Sequence, residues 1–346
     1  MSSIFLTTAI TICFVAGKSG GHLLPCITQA KTIHQQNPQA KIYVFTSGSE
    51  LDTTILQKHN HITQIIPTTL DNPPYQQPWL FPWFGIKTFW YFAKSLYMLH
   101  QLKPQKIISF GGFICIPTCL AAKILGIPFL LYELNVQPGR ATKFLSHFTN
   151  TVYTCFNSTN QYFPTKKCIH FDYPIRFDQQ DLKFNKQELL NFYNFSPNRK
   201  TLLILGGSQG STLLNQVVAE MILKHPELCS TLQIVHQTGQ SDPFDYAKFY
   251  KDQKIPAVVF GYHEKLQDFY NLADIILSRA GAGSLFEIKF FEKPCITVPH
   301  ETCNTNHQIE NVLELAKEFP DQFTIIKQAD FNETTLFKHL KSKFIL

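Results

Sequence analysis

Residues Phe14 to Pro25, FVAGKSGGHLLP, join an apolar run to a turn that contains glycines, a lysine, a serine and a histidine. Glycines between a strand and a helix let backbone N–H groups and the positive end of the helix approach an oxyanion. His22 comes directly after them, and an imidazole near the positive end of a helix stays in the neutral form that a general base requires. His22 is therefore a candidate base, and local capping or the positioning of a substrate or phosphate is the alternative.

Two familiar nucleotide motifs do not fit this turn. A phosphate-binding loop of the triphosphatase type needs a glycine five residues before Gly17-Lys18-Ser19, and Ile12 stands there. The dinucleotide fingerprint needs a different glycine spacing, followed by an acidic residue about 20 positions on. We exclude both nucleotide-binding motifs. Lys18 either acts near a phosphate or points to solvent.

A second turn of the same kind follows the run KTLLIL, as Gly206-Gly207-Ser208-Gln209-Gly210. Here Ser208 adds a hydroxyl donor to the backbone amides. Such a turn can also serve only the close packing of a helix on a strand. Its recurrence at several predicted strand ends in one chain favours the anion-binding interpretation.

Apolar strand-like runs alternate with helix-period segments along the whole chain, which is typical of parallel α/β layers. The strand–glycine turn–helix unit near residue 17 recurs near residue 206, so we expect two doubly wound domains. The irregular segment around 164–182 predicts the boundary, giving domains 1–170 and 171–346. Ligands in such sheets bind at the carboxyl ends of the strands, so we expect the domains to share a cleft.

Composition limits the class of protein further. The chain has 346 residues, 44% of them hydrophobic, and nine cysteines without C-x-x-C spacing, which predicts reduced thiols and no zinc site. Residues 1–150 contain 11 Lys and Arg against 4 Asp and Glu, whereas the remainder contains 20 against 21. The first half should meet an anionic partner, or it carries an ordinary solvated basic face. The apolar N-terminus has no basic n-region and predicts a strand, not a signal peptide.

Seven segments in order, GKSGGHLLP, FGGFICIP, GIPFLLYELN, LGGSQGSTLLN, HQTG, LADIILSRAGAGSLFE and VPHETCNTNHQIEN, resemble the MurG family over nearly the whole chain. The resemblance implies an α/β GT-B fold of two Rossmann-like domains and a transfer of N-acetylglucosamine from UDP-N-acetylglucosamine. The implied acceptor is the muramyl O4 of an undecaprenyl-diphosphate-linked MurNAc-peptide, lipid I, at the cytoplasmic face of the inner membrane. The implied reaction is inverting and needs no metal or other cofactor, in keeping with the lack of an Asp-x-Asp pair, and nucleic acid is not an expected partner.

The resemblance also assigns residues to the sugar donor. Arg176 and the turn at Ser208 would meet the UDP phosphates, Glu287 the ribose, and the backbone at Tyr262 and His263 the uracil. Glu287 follows RAGAGS, and we expect it at the start of a helix, where the helix dipole favours a carboxylate. The complete set implied for the donor is Ser19, Asn135, Arg176, Ser208, Gln209, Gly210, Tyr262, His263, Gly283, Ser284, Glu287, His307 and Gln308.

For the acceptor side, the resemblance implies that Gly20, Gly21, Gly111 and Gly112 face the diphosphate of the lipid. His22 and Glu287 are the two residues that it marks as catalytic. Two departures from the family pattern stand out: Leu134 lies in the middle of the usual Glu-Gln-Asn, and DYPIR replaces the usual Asn-Pro-x-Arg.

The segment Gln77 to Leu99, QPWLFPWFGIKTFWYFAKSLYML, contains all three tryptophans. Lys87 and Lys94 are seven residues apart and fall on one helical face. Pro82 and Gly85 argue against a helix that spans the membrane. A cationic aromatic helix suits the surface of an anionic membrane, where rings lie at headgroup level. The alternative is an interior helix whose lysines reach out to solvent.

Other functions stay open at this point. One is a related GT-B transferase that acts on another lipid acceptor such as diacylglycerol, with an epimerase of the same fold as a further enzyme. Another is a protein that binds UDP-sugar or lipid without turnover. The chain ends at Leu346. From the comparison with the family pattern, we expect the C-terminal helix that crosses back to the first domain to be shortened or missing.

Overall fold

The computed structural model describes residues 10–17, 20–70, 73–207, 209–239, 242–263, 265–301 and 307–344. Its contacts divide the chain into two compact units, Met1–Arg176 and Phe177–Leu346. Each unit has a parallel β-sheet covered by helices, so the predicted α/β class with two Rossmann-like domains is confirmed.

The first unit alternates strands and helices from its first described residues onward. Its elements are β1 Thr11–Val15, α1 Gly20–Gln36, β2 Lys41–Thr46, α2 Glu50–Gln57, β3 Gln64–Pro67, α3 Phe81–Leu102, β4 Lys106–Ser109, α4 Cys115–Ile124, β5 Phe129–Glu133, α5 Arg140–Ser146, β6 Thr151–Thr154 and β7 Lys167–His170. Short 3₁₀ helices cover Pro78–Leu80 and Asn157–Tyr162. The strands pair in parallel in the order β3-β2-β1-β4-β5-β6-β7.

The second unit repeats this plan. Its elements are α6 Lys186–Phe192, β8 Lys200–Leu205, α7 Thr212–Lys224, α8 Leu228–Thr231, β9 Leu232–Gln237, α9 Tyr246–Asp252, β10 Ala257–Phe260, α10 Gln267–Leu272, β11 Ile275–Ser278, α11 Ala282–Phe290, β12 Cys295–Thr297, α12 His307–Glu318, β13 Phe323–Ile325 and α13 Glu333–Phe344, with a 3₁₀ turn at Gln328–Asp330. The parallel strand order is β10-β9-β8-β11-β12-β13.

Burial explains why these segments become strands. The central strands β1 and β8 are buried almost throughout, because helices cover both faces of a parallel sheet. The helices bury one stripe each. On α7 the stripe includes Leu214, Val218 and Met221, as the spacing predicts.

The order of strands reverses once in each sheet, between β1 and β4 in the first and between β8 and β11 in the second. The loops that leave neighbouring strands at such a point run to opposite faces of the sheet and open a crevice at their carboxyl ends. The turns at Gly17 and Gly111 lie at the first reversal, and the turns at Gly206 and Gly281 lie at the second. The sequence-predicted glycine turns therefore lie at the ligand-binding edge of each sheet.

Helix α3 presents an unusual apolar surface. Trp79, just before it, is 72% exposed, and Trp83 and Trp90 are each 66% exposed. Ile86, Phe89 and Tyr97 are exposed as well, whereas Ser95 and Leu99 on the opposite side are buried. The interpretation of this segment as an interior helix is therefore wrong. Within the described residues, none of the helices has the length and apolar character needed to cross a membrane.

Lys94 of α3 contacts the protein's own backbone. Lys94 donates from Nζ to the Pro67 carbonyl, 2.9 Å away, at the end of β3, and its ammonium lies near the Tyr91 ring. Both Lys87 and Lys94 are half-buried. The exposed face of α3 is thus an aromatic and aliphatic stripe, and the expectation that both lysines lie on a lipid-facing surface is not supported for Lys94.

The Gly17 and Gly112 backbones touch, and this contact yields a test of the fold. A Cβ on Gly112 would lie 2.5 Å from the Gly17 Cα, and Gly112 has φ +87°. Gly126 has a similar φ of +70° but open space around it. We expect Gly126→Ala to cost about 1–2 kcal/mol of unfolding free energy for the left-handed backbone alone. Gly112→Ala should cost a further 1–3 kcal/mol or so because of the clash.

Urea denaturation followed by far-UV circular dichroism measures both variants. Equal destabilisation by the two substitutions would contradict the close approach of Gly17 and Gly112.

Candidate active site

His22 is the third residue of α1, so it lies in the first turn, as the sequence predicts. A Cβ on Gly17 would lie 3.2 Å from His22 Nδ1, and a Cβ on Gly111 would lie 3.5 Å from His22 Nε2. The imidazole is therefore held between the turns that follow β1 and β4. Gly20 and Gly21 begin the helix, and Ser19 lies outside the described residues.

The two turns are joined by their backbones. The Gly17 amide donates to the Gly111 carbonyl at 3.0 Å, and Gly111 and Gly112 have φ values of +91° and +87°. Side chains larger than hydrogen would separate the turns, since a Cβ on Gly17 would lie 2.7 Å from the Gly112 Cα. The structure thus brings the candidate base His22 together with Gly111 and Gly112 of the predicted acceptor set.

A buried carboxylate shapes the next loop. Glu133 accepts hydrogen bonds from the backbone amides of Leu134, Asn135 and Gly139 at 3.0–3.1 Å. Burial raises the pKa of Glu133, and these hydrogen bonds act against that rise. The Asn135 side chain also donates to Glu133 at 3.3 Å. Asn135 is therefore turned towards its own loop, and a contact with a sugar stays a prediction.

In the second unit the turn after β8 has glycines in the left-handed region, with Gly207 at φ +84° and Gly210 at φ +79°. The Gly210 amide closes the turn on the Gly207 carbonyl at 3.0 Å. Gln209 is exposed, and Ser208 lies outside the described residues. Ser211, which the sequence analysis did not single out, caps α7 by accepting from the Leu214 amide.

Glu287 lies at the sixth position of α11, and the first turn of that helix holds no acidic residue. The expectation that Glu287 starts a helix is therefore wrong, because α11 begins at Ala282 immediately after the Gly281 cap. Gly283 and Ser284 occupy the first turn instead. The Glu287 carboxylate is buried and accepts from the Tyr270 hydroxyl at 2.9 Å, so side-chain packing and not the helix dipole holds it.

Helix α10 links Glu287 to the predicted uracil site. Tyr270, the partner of Glu287, is adjacent to Phe269, and the His263 ring packs on Phe269 with centroids 5.2 Å apart. His263 Nδ1 accepts from the Lys265 amide at 3.1 Å. Tyr262 and His263 follow β10 and are both half-buried.

Gln308 and His307 are the first residues of α12. Gln308 Oε1 accepts from the Ala280 amide at 3.2 Å and from the His300 amide at 2.8 Å. These two bonds fix the side-chain amide at the carboxyl ends of β11 and β12, which leaves Nε2 as the atom that Gln308 can offer to a hydroxyl. Arg176 is the last residue of the first unit and is half-buried.

Arg279 is a residue of this site that the sequence analysis missed. It follows β11 and donates from Nε to Ser211 Oγ at 3.0 Å, and from Nη1 to Gln328 Oε1 at 2.9 Å and to the Val298 carbonyl at 3.1 Å. Burial lowers its pKa. A cation in the glycine-rich segment SRAGAG, directly after a predicted strand, was the signal that could have found it.

Comparisons with known proteins agree with this architecture. Residues 12–154 match the N-terminal domain of glycosyltransferase family 28, and residues 201–344 match its C-terminal domain. The chain is 29% identical to the UDP-N-acetylglucosamine–N-acetylmuramyl-(pentapeptide) pyrophosphoryl-undecaprenol N-acetylglucosamine transferase of Flavobacterium psychrophilum, over 85% of this chain and 79% of that relative. The Bacillus subtilis enzyme of the same name is 26% identical over 95% of this chain and 89% of that relative.

Among solved structures, Acinetobacter baumannii MurG aligns with a TM-score of 0.67 at 23% identity and covers 96% of this chain and 90% of its own. Medicago truncatula UGT71G1 complexed with UDP-glucose aligns with a TM-score of 0.64 at 12% identity and covers 97% of this chain and 90% of its own. These likenesses confirm the GT-B fold, and the relatives confirm the resemblance to MurG. The chain belongs to glycosyltransferase family 28.

Proposed function

We propose that this protein transfers N-acetylglucosamine from UDP-N-acetylglucosamine to the muramyl O4 of lipid I, forming lipid II. The observation that carries the proposal is the pair of glycine turns at the two strand-order reversals. The chain that contains them aligns, over most of its length, with relatives that are named for this reaction. The proposal includes inversion at the transferred carbon and charge stabilisation by protein groups without a metal.

The second unit would bind the sugar donor. The turn after β8 lies at the carboxyl edge of the sheet, where the start of α7 favours an anion such as a diphosphate. Arg176, Ser208, Gln209 and Gly210 would meet the phosphates. Glu287 would accept hydrogen bonds from the two ribose hydroxyls.

The remaining donor contacts surround the base and the sugar. The backbone at Tyr262 and His263 would contact the uracil, beside α10 and Glu287. Gly283 and Ser284 would line the same site from the first turn of α11. His307 and Gln308 would bind the sugar from the start of α12, where Gln308 is already oriented by two backbone amides.

The first unit would bind the acceptor. Gly20, Gly21, Gly111 and Gly112 would face the lipid diphosphate, with Ser19 and Asn135 near the transferred sugar. His22 would take the proton from the muramyl O4, and its position between Gly17 and Gly111 supports that role, because the surrounding backbone restricts the ring.

The exposed stripe of α3 would lie on an anionic membrane at the cytoplasmic face of the inner membrane. Trp79, Trp83 and Trp90 offer large rings that suit the headgroup level, and the helix would lie in the plane of the surface. The basic excess of residues 1–150 supports the choice of an anionic surface.

A transfer assay tests the whole proposal. We expect product from UDP-N-acetylglucosamine and lipid I, detected by mass, and no product with diacylglycerol as the acceptor. Transfer to diacylglycerol alone would assign the chain to another lipid glycosyltransferase. UDP binding without either product would make it a binding protein.

His22→Ala should lower turnover by about 10²- to 10⁴-fold, the usual contribution of a general base. UDP affinity, measured by calorimetry, should stay unchanged, because the UDP-binding residues proposed here lie in the second unit, apart from Arg176. His147→Ala, an exposed histidine of the same unit, is the control. Near-normal turnover in His22→Ala would remove the base role.

Glu287→Gln should weaken UDP binding by about 10-fold or more, since hydrogen bonds to a charged group contribute about 1.5–3 kcal/mol. The glutamine keeps an acceptor for Tyr270 but cannot accept from both ribose hydroxyls. Binding of 2′,3′-dideoxy-UDP should be the same for the wild type and the variant. An equal loss for both nucleotides would show that Glu287 acts on structure and not on the diol.

Replacing Trp83 and Trp90 together by serine should reduce binding to vesicles of phosphatidylcholine and phosphatidylglycerol by about 100-fold or more, given about 1.5–3 kcal/mol for each buried large side chain. Phe192→Ser, which removes a 75% exposed ring from the second unit, should leave binding unchanged. Co-sedimentation measures both. Equal binding by the double variant and the wild type would exclude α3 as the contact.

A further inference from the structure

A polar network is buried behind the turn that follows β8. Its centre is His236 on β9, which is fully buried. His236 Nδ1 lies 2.8 Å from the Tyr250 hydroxyl, and His236 Nε2 lies 2.9 Å from Asn215 Oδ1 on α7. Asn215 Nδ2 donates to the Thr238 carbonyl at 3.0 Å and to Asp242 Oδ2 at 2.9 Å.

The acceptors of Asn215 determine where each proton lies. Because Asn215 Nδ2 meets a carbonyl and a carboxylate, both acceptors, its Oδ1 must face His236. Burial lowers the pKa of His236 to about 3, so the imidazole is neutral near pH 7. A neutral ring has one donor and one acceptor, so Nε2 carries the proton and donates to Asn215, while Nδ1 accepts from Tyr250.

Asp242 anchors the outer end of the network. Its Oδ2 also accepts from the Tyr246 hydroxyl at 3.0 Å, and its Oδ1 accepts from the Phe244 amide at 3.2 Å. Burial alone would raise the pKa of Asp242, but the hydrogen bonds from Asn215, Phe244 and Tyr246 bring it below its usual value. The carboxylate is thus a fixed anion that holds the Asn215 side chain in one orientation.

The network reaches the glycine turn through one carbonyl. A Cβ on Gly210 would lie 2.2 Å from the Thr238 oxygen, the same oxygen that Asn215 holds, and 2.6 Å from the Gly239 Cα. A Cβ on Gly239 would lie 2.5 Å from the Gln209 oxygen. The end of β9 therefore supports the turn by backbone contact, and movement of Thr238 would displace Gly210.

We propose that Asn215 is a positioning residue for diphosphate binding: with His236 and Asp242 it fixes the Thr238 carbonyl and thereby the backbone at Gln209 and Gly210. This rests on the proposed UDP-binding role of that turn. Asn215 does not touch the nucleotide in this scheme. It acts by holding the backbone at Gln209 and Gly210 in place before the ligand arrives, which avoids the cost of ordering this backbone on binding.

Asn215→Asp tests the link selectively. The carboxyl group has the size of the amide and still accepts from His236 Nε2, but beside Asp242 it holds at most one proton, so it can donate to only one of Thr238 and Asp242 and not to both. We expect UDP affinity by calorimetry to fall by about 10-fold or more, from the loss of buried hydrogen bonds that hold the turn. The KM for UDP-N-acetylglucosamine should rise more than kcat falls. Amide hydrogen exchange over residues 206–211 should become faster without any ligand.

Two further variants separate positioning from general stability. Tyr250→Phe removes only the hydroxyl at the far side of His236, so it should leave UDP affinity and exchange over 206–211 unchanged even if it lowers Tm. Asp242→Ala should weaken UDP binding, and Asp242→Asn, which restores an acceptor, should recover most of it. This pair also keeps the test valid if Asn215→Asp does not fold, because Asp242 is only half-buried.

Unchanged UDP affinity and unchanged exchange in Asn215→Asp would overturn the inference. Equal losses in Asn215→Asp and Tyr250→Phe would show a purely structural role and would overturn it as well. Failure of the wild type to bind UDP would instead refute the proposed donor site, while the exchange measurement would still show whether Asn215 orders the turn.

Discussion

Close contact between two backbone segments is the constraint on which both units of this protein depend. In the first unit Gly17 lies against Gly112, and in the second Gly210 lies against Thr238 and Gly239, at separations that leave no room for a Cβ. The first contact spans the point where the strand order reverses, between β1 and β4, where the loops would otherwise diverge, and the second joins the ends of the neighbouring strands β8 and β9. In each unit the glycines bring two separate strand ends into direct backbone contact.

Around each contact, a buried side chain uses its oxygen or nitrogen atoms to shape the backbone. Glu133 gathers three amides of the loop after β5, and Asn215 holds the end of β9. Arg279 ties the cap of α7 to the ends of β12 and β13. These three groups bond to the protein itself, and they leave ligand binding to other residues at the edge of each sheet. Such buried groups are stable only when their partners are in place, which makes each loop rigid.

The sequence alone predicted the architecture well, since apolar runs and glycine turns report directly on parallel strands and their ends. Glu287 and Lys94 show where it failed. The start of α11 depends on Gly281 as a cap, and the direction of the Lys94 side chain depends on a carbonyl of β3, which is distant in sequence. Arg279 and Asn215 were not recognised as site residues for the same reason: their roles come from partners that spacing does not reveal.

The position of α3 determines how far the exposed tryptophans lie from the glycine turn at Gly112. Its buried side packs on α4, with Ser95 Oγ and Thr118 Oγ1 3.2 Å apart, and α4 begins directly after Gly112. Packed helices lie about 8–10 Å apart, so one helix layer separates the exposed tryptophans from the helix that carries the glycine turn. In the proposed orientation this layer acts as a spacer of fixed thickness. It would set the height of the proposed base His22 above the lipid headgroups, and the reactive hydroxyl of a substrate would have to reach that height.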